Sequence, residues 1–182
     1  MEIRFATPSD LDSLLDLLRA NHADNVPDEE KKFGFVTTQI TKEQLIDLIE
    51  QENGVTVAVD GGRVVSFALA GAWEYWKPWP LFSYMIEILE TFQHDGVTMT
   101  TENCYQYGPI CIDKDYRSTG LFEKVFDFSL ASMADRFPYM VTFINQINPR
   151  SYAAHVRKGG MVEAGKFDWN NNHYWMMSIR TK

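Results

Sequence analysis

The sequence predicts a single mixed α/β domain, a twisted and mostly antiparallel sheet flanked by helices. Three observations lead there. Segments with the 3.6-residue repeat of a one-sided helix alternate with short β-branched or aromatic runs. Two pairs of such runs are joined by tight-turn chemistry, at Asp60-Gly61-Gly62 and at Asn170-Asn171-Asn172. The 182 residues contain no repeat, low-complexity tract or linker, which leaves room for one core spanning 1–182 and little for a second.

Taken in order, "EIRFA" is a short opening strand. "SDLDSLLDLLRANH" follows, with Leu11, Leu14, Leu15 and Leu18 on one helical face, Ser9 as N-cap and Asp12 three residues on as a capping-box partner. Residues 23–40 mix charge with Pro27 and Gly34 and read as an irregular connection. "TKEQLIDLIEQENG" is a second helix: Thr41 caps it, Gln44 completes the box, Leu45, Leu48 and Ile49 face inward, and Asn53-Gly54 stops it. "VTVAVDGGRVVSFALAGA" is a hairpin.

An aromatic-rich insert then occupies about 73–104. "WEYWKPWP" holds three of the five tryptophans, and "LFSYMIEILETF" carries Leu81, Met85, Ile88, Leu89 and Phe92 at helical spacing. A strand, "YGPICI", leads to the helix "GLFEKVFDFSLASMADRF" and the buried-looking strand "YMVTFI". A short helix around "NPRSYAAHVRK" ends at Gly159-Gly160, and a hairpin, "MVEAGKFDW" with "HYWMMSIR", closes the chain. The element order is β-α-α-β-β-(insert)-β-α-β-α-β-β.

Composition excludes several classes. The formal net charge of −8 would repel nucleic acid, and it tilts toward a cationic partner. No apolar run reaches the roughly 18 residues of a membrane helix. "MEIRFATPSD" lacks the basic-then-apolar layout of a signal peptide, so a cytoplasmic protein with no membrane partner is expected. Cys104 and Cys111 sit seven apart in or beside one predicted strand, a spacing beyond disulfide reach, and reduced thiols are expected. Four scattered histidines and no Cys-x-x-Cys predict no metal site.

The chemistry concentrates in "YGPICIDKDYRSTGLFEKVF". Proline inside a strand removes a ladder donor, so Gly108-Pro109 should interrupt pairing and leave backbone groups near Ile110, Cys111 and Ile112 unpaired. An extended amide-bearing ligand can pair there as an added strand. Arg117, Ser118, Thr119, Gly120, Leu121 and Phe122 lie where a loop becomes a helix. The free N–H groups of a helix start form an anion site, Gly120 admits a phosphate close to the backbone, and Arg117 adds a forked cation. A ligand with a diphosphate at one end and a peptide-like arm at the other suits both halves. Coenzyme A has that shape.

At this point the chain resembles the GNAT superfamily of acetyl-CoA-dependent N-acetyltransferases. That family's cofactor motif is Arg/Gln-x-x-Gly-x-Gly/Ala after a bulged strand, and "RSTGLF" matches its Arg and first Gly. "NPRSYAAHVRKGGM" resembles the family's Asn-x-x-Ser…Lys-x-Gly-Phe segment. The resemblance covers nearly the whole chain. It implies a GNAT-like acyl-CoA N-acyltransferase fold, acetyl-CoA as cosubstrate, transfer of acetyl directly to an amine, and Asn148 and Ser151 beside the pantetheine arm. Two departures stand out. Phe122 occupies a position usually Gly or Ala, and its ring is expected to turn into the core. The family's tyrosine, which protonates the departing thiolate, falls at Val156.

Attack on a thioester needs a neutral amine, a polarised carbonyl and an exit for the thiolate. The Ile110 N–H is the expected oxyanion donor; Pro109 has none to give. Glu74 and Glu102 are the carboxylates to test as bases, against the alternative of solvated surface glutamates. His155 and Tyr152 neighbour Val156, although adjacent helical positions diverge by about a hundred degrees. Tyr105 and Tyr107 either orient substrate or pack in the core. Trp73, Tyr75, Trp76 and Trp79 form either an acceptor wall or a packed helix or homodimer surface. The acceptor is expected to be a small-molecule or peptide amine. A non-catalytic acyl-CoA-binding module and an interaction domain built on the insert are the alternatives.

Overall fold

The computed structural model describes residues Met1 to Lys182. In chain order its elements are β1 (Glu2–Phe5), α1 (Leu11–Asn21), α2 (Lys42–Glu50), β2 (Val55–Asp60), β3 (Arg63–Gly71), α3 (Trp73–Trp76), α4 (Pro80–Ile88), β4 (Gln93–His94), β5 (Val97–Thr98), β6 (Cys104–Ile112), α5 (Leu121–Ser132), β7 (Tyr139–Asn145), α6 (Pro149–Arg157), β8 (Val162–Trp169) and β9 (Asn172–Arg180). The seven-stranded sheet runs β1-β2-β3-β6-β7-β9-β8. Every pair is antiparallel except β6 with β7.

The sheet separates two helical layers. Leu14, Leu45, Leu48, Phe67 and Leu69 pack with α1 to α4 on one face. On the other, Ala58, Ala68 and Ala70 present a shallow surface to Val125 and Phe126 of α5. Small strand residues let α5 lie close over β1 to β3, while the branched residues facing away fill the wider space under α1 and α2. No helix is long and apolar enough to cross a membrane.

Local chemistry explains most boundaries. At α2 the Gln44 amide donates to Thr41 Oγ1 at 3.2 Å and the Thr41 amide to Gln44 Oε1 at 2.9 Å, the expected capping box. The first helix starts earlier than Ser9 and Asp12 suggest. Pro8 opens a short 3-10 turn, Pro8–Asp10, that runs into α1, so Thr7 is its cap, with its amide donating to Asp10 Oδ2 at 2.8 Å. A proline's fixed φ suits the first helical position, and this moves the cap upstream. Asp10 also accepts Arg4 Nη1 and Nη2 at 2.7 and 2.8 Å, which holds its carboxyl down at about 2. The "HDGV" segment forms a miniature hairpin, β4–β5, inside the insert that the sequence reading passed over.

Candidate active site

The central strands part company in mid-sheet. β6 pairs with β7 only where Cys104, Tyr105 and Gln106 face Tyr139, Met140 and Val141. Beyond Gln106, β7 continues alongside β9, while β6 stays with β3. The break falls at Gly108-Pro109: Ala70 faces Tyr107 and Ala68 faces Ile110, so β6 carries one residue more than β3 over that interval. This is a bulge, and it turns the strand away from β7. Past it, the Asp113 amide donates to Val65 O at 2.9 Å. Antiparallel bonding alternates along a strand, so Cys111 and Asp113 address β3, and the backbone groups of Ile110 and Ile112 address the gap. There the Ile112 carbonyl receives only Arg117 Nε, at 3.4 Å.

Past a 3-10 turn, Lys114–Tyr116, the chain reaches α5 through two left-handed residues, Ser118 at φ 65° and Gly120 at φ 81°. The amides of Ser118, Thr119, Gly120, Leu121 and Phe122 donate to no protein acceptor. Phe122 does not mask them. Its ring is 9% exposed, stacks on Phe126 at 5.7 Å, and lies in the core, as expected. Arg117 is steadied by Asn21 Oδ1, 3.2 Å from Nη2. With Arg150, Arg157 and Lys158 it lines a cleft of about 340 Å³ that no carboxylate lines. A chain of net charge −8 thus gathers four cations on one cleft, although Lys158 also pairs with Glu123 at 3.2 Å.

The cleft continues inward to a cavity of about 110 Å³ walled by the bulge, β7 and the start of α6. Residues 33–38 roof both spaces. Val36 is tied down there, its amide donating to Asn21 O at 2.9 Å and its carbonyl accepting from the Ala23 amide at 2.8 Å. Asn148 borders both spaces and caps α6 through Oδ1, which accepts from the Ser151 amide at 3.2 Å. Gly108 keeps the wall open: a β-carbon there would meet Thr142 Oγ1 at 3.3 Å. Gln106 and His155 also line the cavity. His155 is 4% exposed, and its Nδ1 lies 2.8 Å from Ser151 O, so Nδ1 carries the proton and Nε2 the lone pair. Burial lowers its pKa to about 4, only partly offset by that hydrogen bond.

Several predicted residues lie elsewhere. Glu74 is exposed and pairs with Lys77 at 3.0 Å, and Glu102 is exposed in the turn before β6; neither borders the cavity. Trp73 and Trp76 are 2% and 0% exposed. Trp79 Nε1 donates to Gln39 O at 2.8 Å and Tyr75 Oη to Gln44 O at 2.9 Å. The four rings therefore anchor the insert to α2 and the segment before it. None of the four borders the cleft or the cavity, and Tyr75 and Trp79 are half-buried; packing this apolar surface against the α1–α2 layer removes it from water more fully than a solvent-facing wall would. Tyr105 is sealed in the α5 layer, and Tyr107 reaches the cavity only as part of its wall. Tyr152 faces away, its ring tilted at 40° against Trp175 with centroids 4.3 Å apart and its hydroxyl 3.4 Å from Glu163. The arrangement brings together Ile110, Ile112, Arg117, Ser118, Phe122, Asn148, Ser151 and His155. It adds Gln106, Thr142, Arg150 and the 33–38 roof, none of which the sequence reading singled out. An unexplained glutamine one residue before a Tyr-Gly-Pro break was the only local signal among them.

A scan of the sequence finds no matching family model and no matching curated relative. Solved structures do match in three dimensions. A candidate acetyltransferase of Salmonella typhimurium, solved with its cofactor acetyl-CoA, superposes with a TM-score of 0.66 at 14% identity, covering 100% of this chain and 94% of that one. A ribosomal-protein-alanine N-acetyltransferase of Brucella melitensis gives 0.64 at 17% identity, covering 99% of each. A GNAT-family acetyltransferase of Streptococcus agalactiae gives 0.66 at 15%, covering 98% and 94%. Likeness at such identities speaks to architecture, and by it this chain has the fold of the GNAT-family acetyltransferases.

Proposed function

We propose that the protein transfers an acetyl group from acetyl-CoA directly to an amine. One observation carries the reading: β6 leaves β7 after Gln106, and its unpaired side leads to a helix start whose amides from Ser118 to Phe122 have no protein acceptor, beside a cleft lined by four cations. The residues present fit the cosubstrate. The amides of 118–122, with Arg117, suit the diphosphate. The gap beside Ile110 and Ile112 suits an arm containing amides, which would restore the missing sheet bonds. Asn148 and Ser151 flank the opposite wall.

Acetyl-CoA supplies an acetyl group activated as a thioester. The protein's part is to orient, polarise and exclude water. The Ile110 N–H, freed by the bulge, is the donor for the carbonyl oxygen. The 33–38 roof keeps water from the reacting carbon. The thiol leaving group needs no strong acid, since its own pKa is near 8.5. A cytoplasmic site of action belongs to the same reading, supported by two free buried cysteines. Whether two copies pair through another surface does not bear on the groove.

A second reading has one observation in its favour: no carboxylate lines the inner cavity and Val156 supplies no acid. It is a non-catalytic acyl-CoA-binding module. Calorimetry with acetyl-CoA, followed by thiol release over an amine panel, separates the two. Affinity with thiol release supports the enzyme, and affinity with silence toward every amine supports the binding module. Absence of affinity removes both.

A further inference from the structure

We propose that the inner cavity selects an uncharged amine of low basicity, the α-amine class, and receives its N–H groups on Gln106 Oε1 and His155 Nε2. This rests on the acetyltransferase reading above and adds the acceptor's chemical class.

The first ground is charge. The cavity is bounded by no Asp, Glu, Lys or Arg, and its titratable side chains are Tyr107, His155 and Tyr174. An ammonium group there would be desolvated with no counter-charge, which is strongly unfavourable. The four cations of the outer cleft oppose it further. The −8 charge of the chain as a whole therefore says nothing about this acceptor.

The second ground is hydrogen-bond capacity. Gln106 is 1% exposed, and its Oε1 has no partner. Its amide cannot be turned round, because Nε2 donates to the Tyr107 carbonyl, which can only accept. His155 is oriented likewise: Nδ1 donates to the Ser151 carbonyl, and Nε2 is left as a lone pair. These two vacant positions are acceptors, so a ligand that meets them must bring donors; the Tyr107 hydroxyl, also buried without a partner, can donate or accept. A neutral primary amine brings two N–H groups and keeps its own lone pair for the carbonyl carbon.

The third ground is proton balance. When a neutral amine attacks, the N–C bond forms, the C–S bond breaks, and one N–H proton ends on the thiol. No net proton is gained or lost. An ammonium must first shed a further proton; the cavity has no carboxylate to take it, and burial among aromatic rings disfavours a charged His155. The elements around His155 supply no carboxylate: β6 offers Tyr107, α5 offers Phe122 and Phe126, β7 offers Thr142, and the roof offers Phe35 to Thr38. The outer cleft, which His155 also borders, is lined by Arg117, Arg150, Arg157 and Lys158, and these cations oppose a second positive charge.

The test compares glycinamide, an alanine-led tetrapeptide and propylamine as acceptors, reading kcat/KM for thiol release from pH 6 to 10. At pH 7 an α-amine near pKa 8 is about a tenth neutral, and an alkyl amine above 10 is neutral in fewer than about one molecule in a thousand. Glycinamide or the tetrapeptide is expected to exceed propylamine on the order of 100-fold at pH 7, with the gap closing toward pH 10. Whichever of the two leads identifies a free amino-acid derivative or a peptide terminus. Profiles should bend at each amine's own pKa. Gln106→Met should raise KM for the preferred amine about tenfold at unchanged acetyl-CoA affinity, and Gln106→Glu should move preference toward propylamine. Equal or reversed preference at pH 7, or one shared bend for all three, overturns the proposal. If acetyl-CoA binds but nothing turns over, amine titrations of the CoA-loaded protein by NMR decide. Affinity rising from pH 7 to 9 supports the proposal, and no binding at either pH overturns it. Loss of acetyl-CoA binding itself would instead remove the acetyltransferase reading.

Discussion

The imidazole of His155 stands edge-on to the ring of Phe122, centroids 5.2 Å apart and planes at 87°. Phe126 and Tyr107 close the box at 6.1 and 5.8 Å. An imidazolium has no place among these faces, and the folded pKa falls to about 4, below the unfolded value near 6.5. The sign follows from linkage. The unfolded chain takes up the proton more readily, so the stabilisation is full above pH 6.5 and is lost as pH falls toward 4. At pH 5 the loss is about 2 kcal/mol. Urea melts at pH 7 and pH 5 should show it, and His155→Phe should flatten it. An unchanged slope in the variant would assign the pH dependence to another group.

Arg117 reaches the Ile112 carbonyl and Asn21 over 3.4 and 3.2 Å, bonds too long to contribute much to stability. Its charge matters to the ligand. Arg117→Gln is expected to weaken acetyl-CoA about tenfold by calorimetry while leaving the melting temperature nearly unchanged. Arg136, which pairs with Glu52 at 2.8 Å away from the cleft, is the control: Arg136→Gln should leave the affinity untouched.

At Gly120 the backbone sits at φ 81°, and an added β-carbon would meet nothing within 4 Å. The cost of Gly120→Ala is therefore conformational, about 1 kcal/mol or 2–4 °C in Tm for a chain of this size. Asparagine tolerates the left-handed region better, and Gly120→Asn should lose less. Equal losses from both would point to an unseen steric contact.

Glu74 and Glu102 are solvated, and both Glu74→Gln and Glu102→Gln should leave kcat/KM within about twofold. A tenfold loss at either would mean that a carboxylate reaches the acceptor after all.

Asp10 is the clearest stabilising charge. Its pKa, held at about 2 first of all by the Arg4 hydrogen bonds, contributes stability above the unfolded value of 3.8 that disappears as pH falls toward 2. Asp10→Asn should cost about 1–2 kcal/mol at neutral pH and remove that acid-side slope, as followed by thermal melts from pH 2 to pH 5.

Local chemistry made much of this molecule legible. Thr41 with Gln44 announced α2, and Asp60-Gly61-Gly62 announced the β2–β3 hairpin, because caps and tight turns are decided within four residues. The same holds for the groove. A proline beside Ile110 forbids one ladder bond wherever the strand lies, and Gly120 permits a left-handed helix start whatever packs around it. Where a competing local signal existed, the reading slipped: Ser9 looked like a cap, but Pro8 had already begun the turn.

The side-chain machinery was less legible, and the tryptophans show why. An aromatic run states that much apolar surface must be buried, not against what. Trp76 and Trp79 settle against Phe82 and the segment before α2 only because α3 folds back over that layer. Gln106 gains meaning once β7 departs from β6 and strands its Oε1 at a cavity wall, and residues 33–38 become a roof only when α1 and α6 hold them from either side. From its sequence alone this protein determined its helix caps, turns, strand break and left-handed helix start, because each is a contest among near neighbours. Tertiary structure alone decided which polar groups are cut off from water and which charges share a cleft, because both depend on distances between residues far apart in the chain.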